Sequence, residues 1–243
     1  DLMLLATQAT PEKVAFMVTH TTGILCVALT KSRARELNLP LMVEDNEDQR
    51  RTAFTVAVDF APGITTGVSA VERARTVRAL GEPSTTPKDL IRPGHVYPLV
   101  AHDQVLLGRQ GHTEAGVALS QLSKSSEQAL LSEIVATDGS MARGETLKTF
   151  AATHEIPIIA IADLAAYYKE NYTLIKSQAP KLEWADLPID NHMWKIATYP
   201  ALRQRDHAII AFNPQVTSKL TYLRIHSECF TGDVLGSQRC DCG

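Results

Sequence analysis

Helical segments and apolar, strand-like runs alternate over residues 1–172 of the chain, and this alternation constrains the fold most. Thr10 is followed by Pro11 and Glu12, a typical helix start, and we predict that the helix runs to about Thr21. The next run, residues 24–29, is continuously apolar and indicates a buried strand. Repetition of such pairs favours a layered α/β arrangement in which helices cover a sheet.

The other elements are predicted from the same patterns. We expect helices over residues 31–37, 70–80, 142–154 and 163–172, and a further helix that opens within residues 109–114 and runs to about 122. Strands are expected over residues 52–59, 96–100, 104–107, 130–136 and 156–162. Residues 81–95 are expected to form a loop that contains prolines.

A change of pattern divides the chain. Helical and strand-like periodicity fades over residues 173–183, and short strand-like runs follow at 194–198, 208–212 and 220–225. We therefore predict a first domain over residues 1–172, a linker over residues 173–183, and the start of a second, β-rich α+β domain over residues 184–243.

Net charge and chain ends limit the class of protein. A formal charge of −3 argues against nucleic-acid binding by phosphate neutralisation. No uncharged apolar run approaches the roughly 20 residues that a membrane helix needs.

The chain begins at Asp1 in what resembles the middle of a strand, with no signal peptide visible, and it stops just after a cysteine cluster. We therefore expect a fragment cut from a longer protein at both ends.

Three of the four cysteines, Cys229, Cys240 and Cys242, lie close together near the end of the chain. Closely spaced thiolates suit Zn²⁺, and three protein ligands plus water are typical of a catalytic zinc. The alternative is that these cysteines are reduced or form disulfides. Metal-bound thiols would indicate a reducing, cytoplasmic setting. The fourth, Cys26, lies in an apolar run and is predicted to belong to the core.

The stretch Arg109, Gln110, Gly111, His112 and Thr113 combines groups of different chemistry. Arginine can hold a phosphate through two hydrogen bonds, glycine permits close backbone approach, and histidine can bind a metal or move protons. The hydroxyl of Thr113 stands at a predicted helix N-terminus, where backbone N–H groups favour anions. The alternative interpretation is an ordinary capped turn, with Thr113 as the cap.

Two further side chains are candidates for acid–base chemistry. Glu133 lies within an apolar run, and a carboxylate buried on a strand would have a raised pKa suited to proton transfer. The alternative is an edge glutamate that faces water. His95 follows Pro93 and Gly94 in the predicted loop, where it is either functional or a plain surface residue.

The predicted first domain resembles 3,4-dihydroxy-2-butanone 4-phosphate synthases. The matching stretches are residues 20–29, 39–44, 65–70, 92–98, 109–115 and 138–143. The resemblance implies a three-layer sandwich with a mixed sheet, a homodimer, and conversion of ribulose 5-phosphate to 3,4-dihydroxy-2-butanone 4-phosphate and formate with Mg²⁺ or Mn²⁺.

The same resemblance assigns roles to residues. It implies that Arg109, Gln110, Gly111, His112 and Thr113 bind the substrate, with His112 also a metal ligand. His95 and Glu133 match two positions essential in the family, and Glu133 also contacts substrate. The family's acidic Arg-Glu-x-Glu-Gly-Asp loop is represented only by Asp1, a substrate-binding position. We therefore expect these 243 residues to bind Mg²⁺ and substrate poorly and to show little synthase turnover.

Residues 224–233 and 239–243 resemble the start of GTP cyclohydrolase II. This implies Zn²⁺ on Cys229, Cys240 and Cys242, and GTP hydrolysis to 2,5-diamino-6-ribosylamino-4(3H)-pyrimidinone 5′-phosphate, formate and pyrophosphate in a longer chain. The residues implied to lie near GTP are Arg224, Ile225, His226, Ser227 and Glu228. We expect no cyclohydrolase activity from the 243 residues alone.

A chain with both resemblances is similar to the bifunctional enzymes of riboflavin biosynthesis. One alternative is a synthase whose second domain is degenerate and non-catalytic. Another is a binding module for a sugar phosphate or zinc that performs no turnover.

Overall fold

The computed structural model describes residues 1–21, 23–124, 126–176, 184–189, 192–199 and 207–212. The chain divides into two compact units. One comprises Asp1–Lys181 and Pro200–His207, and the other comprises Leu182–Tyr199 and Ala208–Gly243. None of the described helices has the length and apolar character needed to cross a membrane.

A five-stranded sheet forms the centre of the first unit. Its strands are β1 (Leu2–Leu5), β2 (Cys26–Leu29), β3 (Val58–Phe60), β4 (Leu90–Val100) and β5 (Ala129–Ser132), in the spatial order β1-β5-β2-β4-β3. Strands β2 and β4 are parallel, whereas the other neighbouring pairs are antiparallel. The sheet is therefore mixed, as expected.

Six α-helices accompany this sheet in the described part of the chain. They are α1 (Pro11–Thr21), α2 (Lys31–Glu36), α3 (Ala70–Gly81), α4 (His112–Leu122), α5 (Glu145–Thr153) and α6 (Ile161–Lys176). Side-chain caps start three of them: Thr10 accepts a hydrogen bond from the N–H of Lys13, Thr30 one from that of Arg33, and Ser69 one from that of Glu72.

The buried side chains form two cores, one on each face of the sheet. Val27 and Leu29 of β2 belong to a core shared with α1 and α3. Cys26 and Ala28, which alternate with them, belong to a second core shared with α4 and α6. Because successive side chains of a strand point to opposite faces, β2 is covered on both sides. The result is the predicted three-layer α/β/α sandwich.

Several predicted strands differ from the structure. Residues 104–107 include a short 3₁₀ turn, Val105–Leu107, instead of a strand. Residues 156–160 are irregular, and Ile161 begins α6. Ile158 and Ile159 are 60% and 56% exposed, so their apolar, β-branched character does not reflect burial in a sheet.

Element boundaries also shift. The predicted loop over residues 81–95 is wrong in its second half, because β4 begins at Leu90 and continues through Pro93, which follows a cis peptide bond. Of the predicted strand over residues 52–59, the last two residues lie in β3, while Thr55 and Phe54 form isolated bridges. The predicted strand over residues 130–136 ends at Ser132, and α5 starts at Glu145 instead of at Ala142.

The second unit contains a three-stranded sheet in the order β6-β7-β8, built from β6 (Ala185–Ile189), β7 (His192–Tyr199) and β8 (His207–Phe212). Strands β6 and β7 are antiparallel. The predicted strands over residues 194–198 and 208–212 are confirmed, and that over 220–225 lies outside the described residues. The predicted linker overlaps the end of α6 and otherwise lies outside the described residues.

Candidate functional site

A cleft of about 600 Å³ lies at one end of the five-stranded sheet. Seven residues that were predicted to act together line it: Asp1, Arg109, Gln110, Gly111, His112, Thr113 and Glu133. Its wall also contains Cys26, Leu131 and the polar side chains of Asp48, Arg50 and Thr52.

The antiparallel register of the strands explains this convergence. Leu2 of β1 is paired with Ser132 of β5, and Cys26 of β2 is paired with Leu131. The start of β1 and the start of β2 therefore lie beside the end of β5. Asp1 immediately precedes β1 and Glu133 immediately follows β5, so these two distant sequence positions meet.

Arg109 is fixed at the cleft by a buried carboxylate. Its Nη1 donates to Oε2 of Glu114 at 2.6 Å, and Nη2 donates to the carbonyl of Arg50 at 3.2 Å. Glu114 is 1% exposed and also accepts a hydrogen bond from the N–H of His102. A guanidinium held in this way keeps a defined orientation while a third of its side chain remains exposed.

Gly111 leaves the space that this ion pair occupies. A Cβ at this position would lie 2.4 Å from Nη1 of Arg109 and 2.6 Å from Oε2 of Glu114. Both distances are far below van der Waals contact, so a larger residue would force the pair apart. The sequence suggested close approach at this glycine, but it gave no role to Glu114.

His112 is the first residue of α4 and is half exposed. Its Nε2 lies 3.9 Å from Oδ1 of Asp1. Burial lowers the pKa of His112, and the positive charges of Arg50 and Arg109 lower it further. The neutral imidazole, which is the form that can bind a metal, is therefore favoured.

Glu133 differs from the expectation of a buried strand carboxylate. It lies one residue beyond β5, and it is exposed while Ser132 and Ile134 are buried. The alternative interpretation, a glutamate that faces solvent, describes it correctly, and the space that it borders is the cleft. Burial and the negative charge of Glu133 raise the pKa of the neighbouring Cys26 thiol to about 12.

His95 is not part of the cleft lining. It lies within β4 instead of the predicted loop, and its Nδ1 contacts Oδ2 of Asp59 at 2.7 Å. The structure therefore brings Glu133 together with the 109–113 stretch but does not bring His95 to them within one chain.

The segment around Arg50 was missed as a contributor to the cleft. Asp48 and Arg50 line the cleft, although neither was among the residues predicted to form the site. Asp48 accepts a hydrogen bond from the N–H of Thr52, and this contact lowers the pKa of Asp48. The only sequence signal was the basic pair Arg50 and Arg51, which follows the acids after Gln49.

The acidic and histidine side chains of the cleft can be compared with the ligands that the implied divalent metal needs. Across the described residues, no group of three or more His, Cys, Asp and Glu side chains is arranged to hold an ion. Asp1 and His112 form a pair, with Glu133 on the same cleft. Mg²⁺ is commonly held by one or two carboxylates and otherwise by water and substrate oxygens, so these residues fit a partly protein-bound ion.

The second predicted site cannot be placed. Its residues lie outside the described part of the chain: Arg224, Ile225, His226, Ser227, Glu228, Cys229, Cys240 and Cys242.

Comparison with known proteins identifies relatives of the whole chain. The chain is 42% identical over its full length to riboflavin biosynthesis protein RibBA of Salinispora arenicola and 39% identical to RibBA of Chlamydia trachomatis. It is 42% identical to the probable bifunctional riboflavin biosynthesis protein RIBA 2, chloroplastic, of Oryza sativa subsp. japonica, covering 44% of that protein. The chain spans 57% of the length of each of the two RibBA proteins.

Solved structures show the same fold. A 3,4-dihydroxy-2-butanone 4-phosphate synthase in complex with two magnesium ions matches 70% of this chain and 85% of its own, with a TM-score of 0.67 and 39% identity. RibBX, a two domain 3,4-dihydroxy-2-butanone 4-phosphate synthase from A. baumannii, matches 86% of this chain and 60% of its own, with a TM-score of 0.67 and 34% identity.

Family models match both parts of the chain. The GTP cyclohydrolase II model matches residues 181–243. The 3,4-dihydroxy-2-butanone 4-phosphate synthase model matches residues 1–167, which is more than two thirds of the chain. The three-layer sandwich with its mixed sheet is consistent with these matches. The chain belongs to the 3,4-dihydroxy-2-butanone 4-phosphate synthase family.

Proposed function

We propose that the full-length protein that carries this chain converts D-ribulose 5-phosphate to 3,4-dihydroxy-2-butanone 4-phosphate and formate in riboflavin biosynthesis. The observation that carries the proposal is the single cleft that unites Arg109, His112 and Glu133. A phosphate-binding cation, a metal-binding imidazole and a solvent-facing carboxylate are the groups that this chemistry needs on a phosphorylated ketose.

Each group has a role that its position supports. Arg109 binds the substrate phosphate, because its guanidinium is oriented by Glu114 and remains partly exposed. The N-terminus of α4, with Thr113 in its first turn, adds backbone N–H groups that favour the same anion. Gln110 and Gly111 border the substrate in the same loop. Glu133 takes and returns protons at the sugar carbons and hydroxyls, since it is exposed to the cleft.

Mg²⁺ or Mn²⁺ is the proposed cofactor of this reaction. Asp1 and His112 would hold the ion, and Asp1 would also contact the substrate. When bound, the ion supplies stabilisation of negative charge on substrate oxygens. The imidazole of His112 is suited to this role because its neutral form is favoured.

Formate release from ribulose 5-phosphate tests the proposal. We expect Glu133→Gln in the full-length protein to lower turnover by about 10²-fold or more while substrate binding is retained. Glu127→Gln is the matched control, because Glu127 is an exposed glutamate that contacts Gln121 and does not border the cleft. Retained turnover in Glu133→Gln would contradict the assignment, and binding without any turnover by the wild type would favour a pure binding module.

A second activity is proposed for the full-length protein on a separate observation, the match of residues 181–243 to GTP cyclohydrolase II. Zn²⁺ bound by Cys229, Cys240 and Cys242 would activate the water that attacks the purine ring of GTP. GTP itself would bind along residues 224–228. On this basis residues 1–172 form the synthase domain, residues 173–183 the linker and residues 184–243 the start of the cyclohydrolase domain.

Zinc analysis and GTP assays separate this proposal from a degenerate second domain. We expect about one zinc per full-length chain, lost in Cys240→Ser, together with formate and pyrophosphate release from GTP. If the protein contains zinc but releases neither product, the second domain has no cyclohydrolase activity and its zinc only supports the fold. The protein would then be a synthase alone.

We also propose a homodimer that works in the cytoplasm on these two small substrates, with no nucleic-acid or membrane partner. His95 supports the dimer, because it lies outside the cleft of its own chain although it matches an essential position. A second copy can supply it. Co-expression of His95→Ala and Glu133→Gln chains tests this: mixed dimers would regain turnover that neither variant has alone, and a strictly monomeric protein would not.

A further inference from the structure

Asp59 and His95 form an ordered pair on neighbouring strands, β3 and β4. Oδ1 of Asp59 accepts a hydrogen bond of 3.0 Å from the backbone N–H of His95, and Oδ2 lies 2.7 Å from the ring Nδ1. Asp59 is 3% exposed, whereas 46% of the His95 side chain is exposed. A buried carboxylate thus holds both the backbone and the ring of an exposed histidine.

The direction of these contacts determines which ring nitrogen is free. Because Nδ1 faces a carboxylate, which only accepts hydrogen bonds, the neutral ring carries its hydrogen on Nδ1. Nε2 then presents a lone pair away from Asp59. Nε2 makes no hydrogen bond to any residue that the structure describes, so this lone pair can act as a base.

The backbone around Asp59 and His95 leaves room for their contact at two glycines. Gly67 has φ +80°, and a Cβ there would lie 2.2 Å from Oδ2 of Asp59 and 2.7 Å from Nδ1 of His95. The strand pairing shifts register between Val58 and Asp59, where Gly94 lies so close that its Cβ would reach 2.0 Å from the carbonyl carbon of Val58. Two glycines and a register shift therefore surround one carboxylate–imidazole contact.

A positive charge lies near the buried carboxylate of Asp59. Burial lowers the pKa of the Arg73 guanidinium, and the negative charge of Asp59 opposes that effect, so the two groups lie within electrostatic range. The guanidinium of Arg73 and the two contacts with His95 together offset part of the cost of burying the Asp59 side chain.

We propose that Asp59 is a positioning residue that holds His95 in the tautomer with a free Nε2, so that Nε2 can accept a proton from the sugar substrate. The proposal rests on the proposed synthase function for its consequence in turnover. The tautomer itself is a property of the folded chain and can be measured without substrate.

Nitrogen NMR of the full-length protein with ¹⁵N-labelled histidine tests the tautomer directly. The chain has eight histidines, and the His95 signals are identified by their loss in His95→Gln. In alkaline buffer, where free imidazole is neutral, we expect hydrogen on Nδ1 and none on Nε2 of His95. A hydrogen on Nε2 in the wild type would overturn the proposal.

Asp59→Asn changes the chemistry with little change of shape. The backbone N–H of His95 fixes the amide oxygen toward itself, so the amide NH₂ faces Nδ1 and donates to it. We expect the ring to take up the other tautomer, with hydrogen on Nε2. An unchanged tautomer in Asp59→Asn would show that Asp59 does not set it.

Turnover gives the second measurement. We expect kcat of Asp59→Asn to fall by about 10²- to 10⁴-fold with KM changed by less than about threefold. In His95→Gln, adding Asp59→Asn should cause no further loss, because the two residues act as a unit. Independent, multiplying losses would show a structural role and overturn the proposal.

Thr76→Val controls for damage to β3. Thr76 accepts a hydrogen bond from the N–H of Phe60, the residue after Asp59, and among the described residues it makes no hydrogen bond to His95. The Thr76→Val variant should keep kcat within about twofold of the wild-type value, since only local stability is affected. A loss in Thr76→Val as large as that in Asp59→Asn would overturn the proposal.

A pair of glycine variants tests the contact between Asp59 and His95 without changing either residue. Gly67→Ala should separate the pair and lower kcat, whereas Gly63→Ala, at φ +69° with its nearest atom an Arg75 nitrogen at 3.4 Å, should not. Equal turnover in both variants would contradict the role of the contact. A wild type without turnover would refute the proposed function, and the NMR measurement would still decide what Asp59 does to His95.

Discussion

Nη1 of Arg109 lies 2.6 Å from Oε2 of Glu114, a carboxylate that is 1% exposed beneath the cleft. Taking a carboxylate out of water costs several kcal/mol unless a partner compensates its charge. Arg109 is that partner, and it is also the group proposed to bind the substrate phosphate. The stability of this part of the fold and the orientation of a binding residue therefore depend on one ion pair.

Removal of Arg109 should destabilise the protein more than removal of a cation that has no buried partner. We expect Arg109→Gln to lower the free energy of unfolding by about 3 kcal/mol, because Glu114 is left buried without its counter-charge. Arg50→Gln, at an exposed arginine on the same cleft, should cost about 0.5 kcal/mol or less. Urea unfolding measures both.

A double variant completes this comparison. Arg109→Gln combined with Glu114→Gln should be more stable than Arg109→Gln alone, since the uncompensated charge is gone. Equal losses in Arg109→Gln and Arg50→Gln, or no recovery in the double variant, would show that the pair contributes little.

Gly111→Ala should disturb binding through the same pair. Its Cβ would lie 2.4 Å from Nη1 of Arg109, so the guanidinium must move away from Glu114. We expect KM for ribulose 5-phosphate to rise by about tenfold, which corresponds to about 1.4 kcal/mol of binding. Gly139→Ala is the control, because a Cβ there meets nothing within 4 Å, although its φ of +83° makes alanine locally strained. A KM unchanged in Gly111→Ala would mean that the substrate does not need this orientation of Arg109.

Cys26 should be unreactive in the folded protein although it borders the cleft. Burial and the negative charge of Glu133 raise the pKa of its thiol to about 12, so the nucleophilic thiolate is scarce at neutral pH. We expect iodoacetamide at pH 8 to leave Cys26 unmodified in the native protein and to modify it after unfolding in urea. Peptide mass spectrometry reads the modification at this position. Rapid labelling of the native protein would show that the thiol is not protected.

Local sequence patterns predict the parts of this fold that depend on neighbouring residues. The helix α1 is marked by Thr10, Pro11 and Glu12, and β2 by its unbroken apolar run. The stretch from Arg109 to Thr113 forms one site because its members are consecutive and open a helix. The same reasoning failed at Ile158 and Ile159, since apolar, β-branched residues indicate a strand whether or not a sheet is there to bury them.

Long-range pairing could not be predicted in this way. Glu133 joins the cleft because β5 is antiparallel to β1 and β2, and a single sequence does not reveal that register. His95 is separated from it because β4 extends back to Leu90 and places the histidine opposite β3. Asp59, the partner of His95, was missed for the same reason, because an acid far along the chain gives no local sign of the group it will contact. Glu114 is close to Arg109 in sequence, but the pattern of residues does not show that its side chain is buried beside the guanidinium.

The loop before α3 should depend on the ionised form of Glu72. Its carboxylate accepts hydrogen bonds from the N–H and hydroxyl of Thr65 and from the hydroxyl of Ser69, although the residue is only 7% exposed. These contacts, led by the Thr65 N–H, hold the pKa of Glu72 at about 2, below its usual 4.5.

A depressed carboxylate pKa stabilises the folded state above the pKa of the unfolded chain, and the contribution is lost as the pH falls through the folded value. The window for Glu72 therefore runs from about pH 4.5 down to about pH 2. Glu72→Gln should be less stable than wild type at pH 7, and the difference in Tm should shrink as the pH falls from 4.5 to 3. Glu82→Gln, an exposed acid just past the other end of α3 whose carboxylate bonds to none of the described residues, should track wild type throughout. A Tm difference for Glu72→Gln that stays constant from pH 7 to pH 3 would show that the loss comes from altered packing and not from the carboxylate charge.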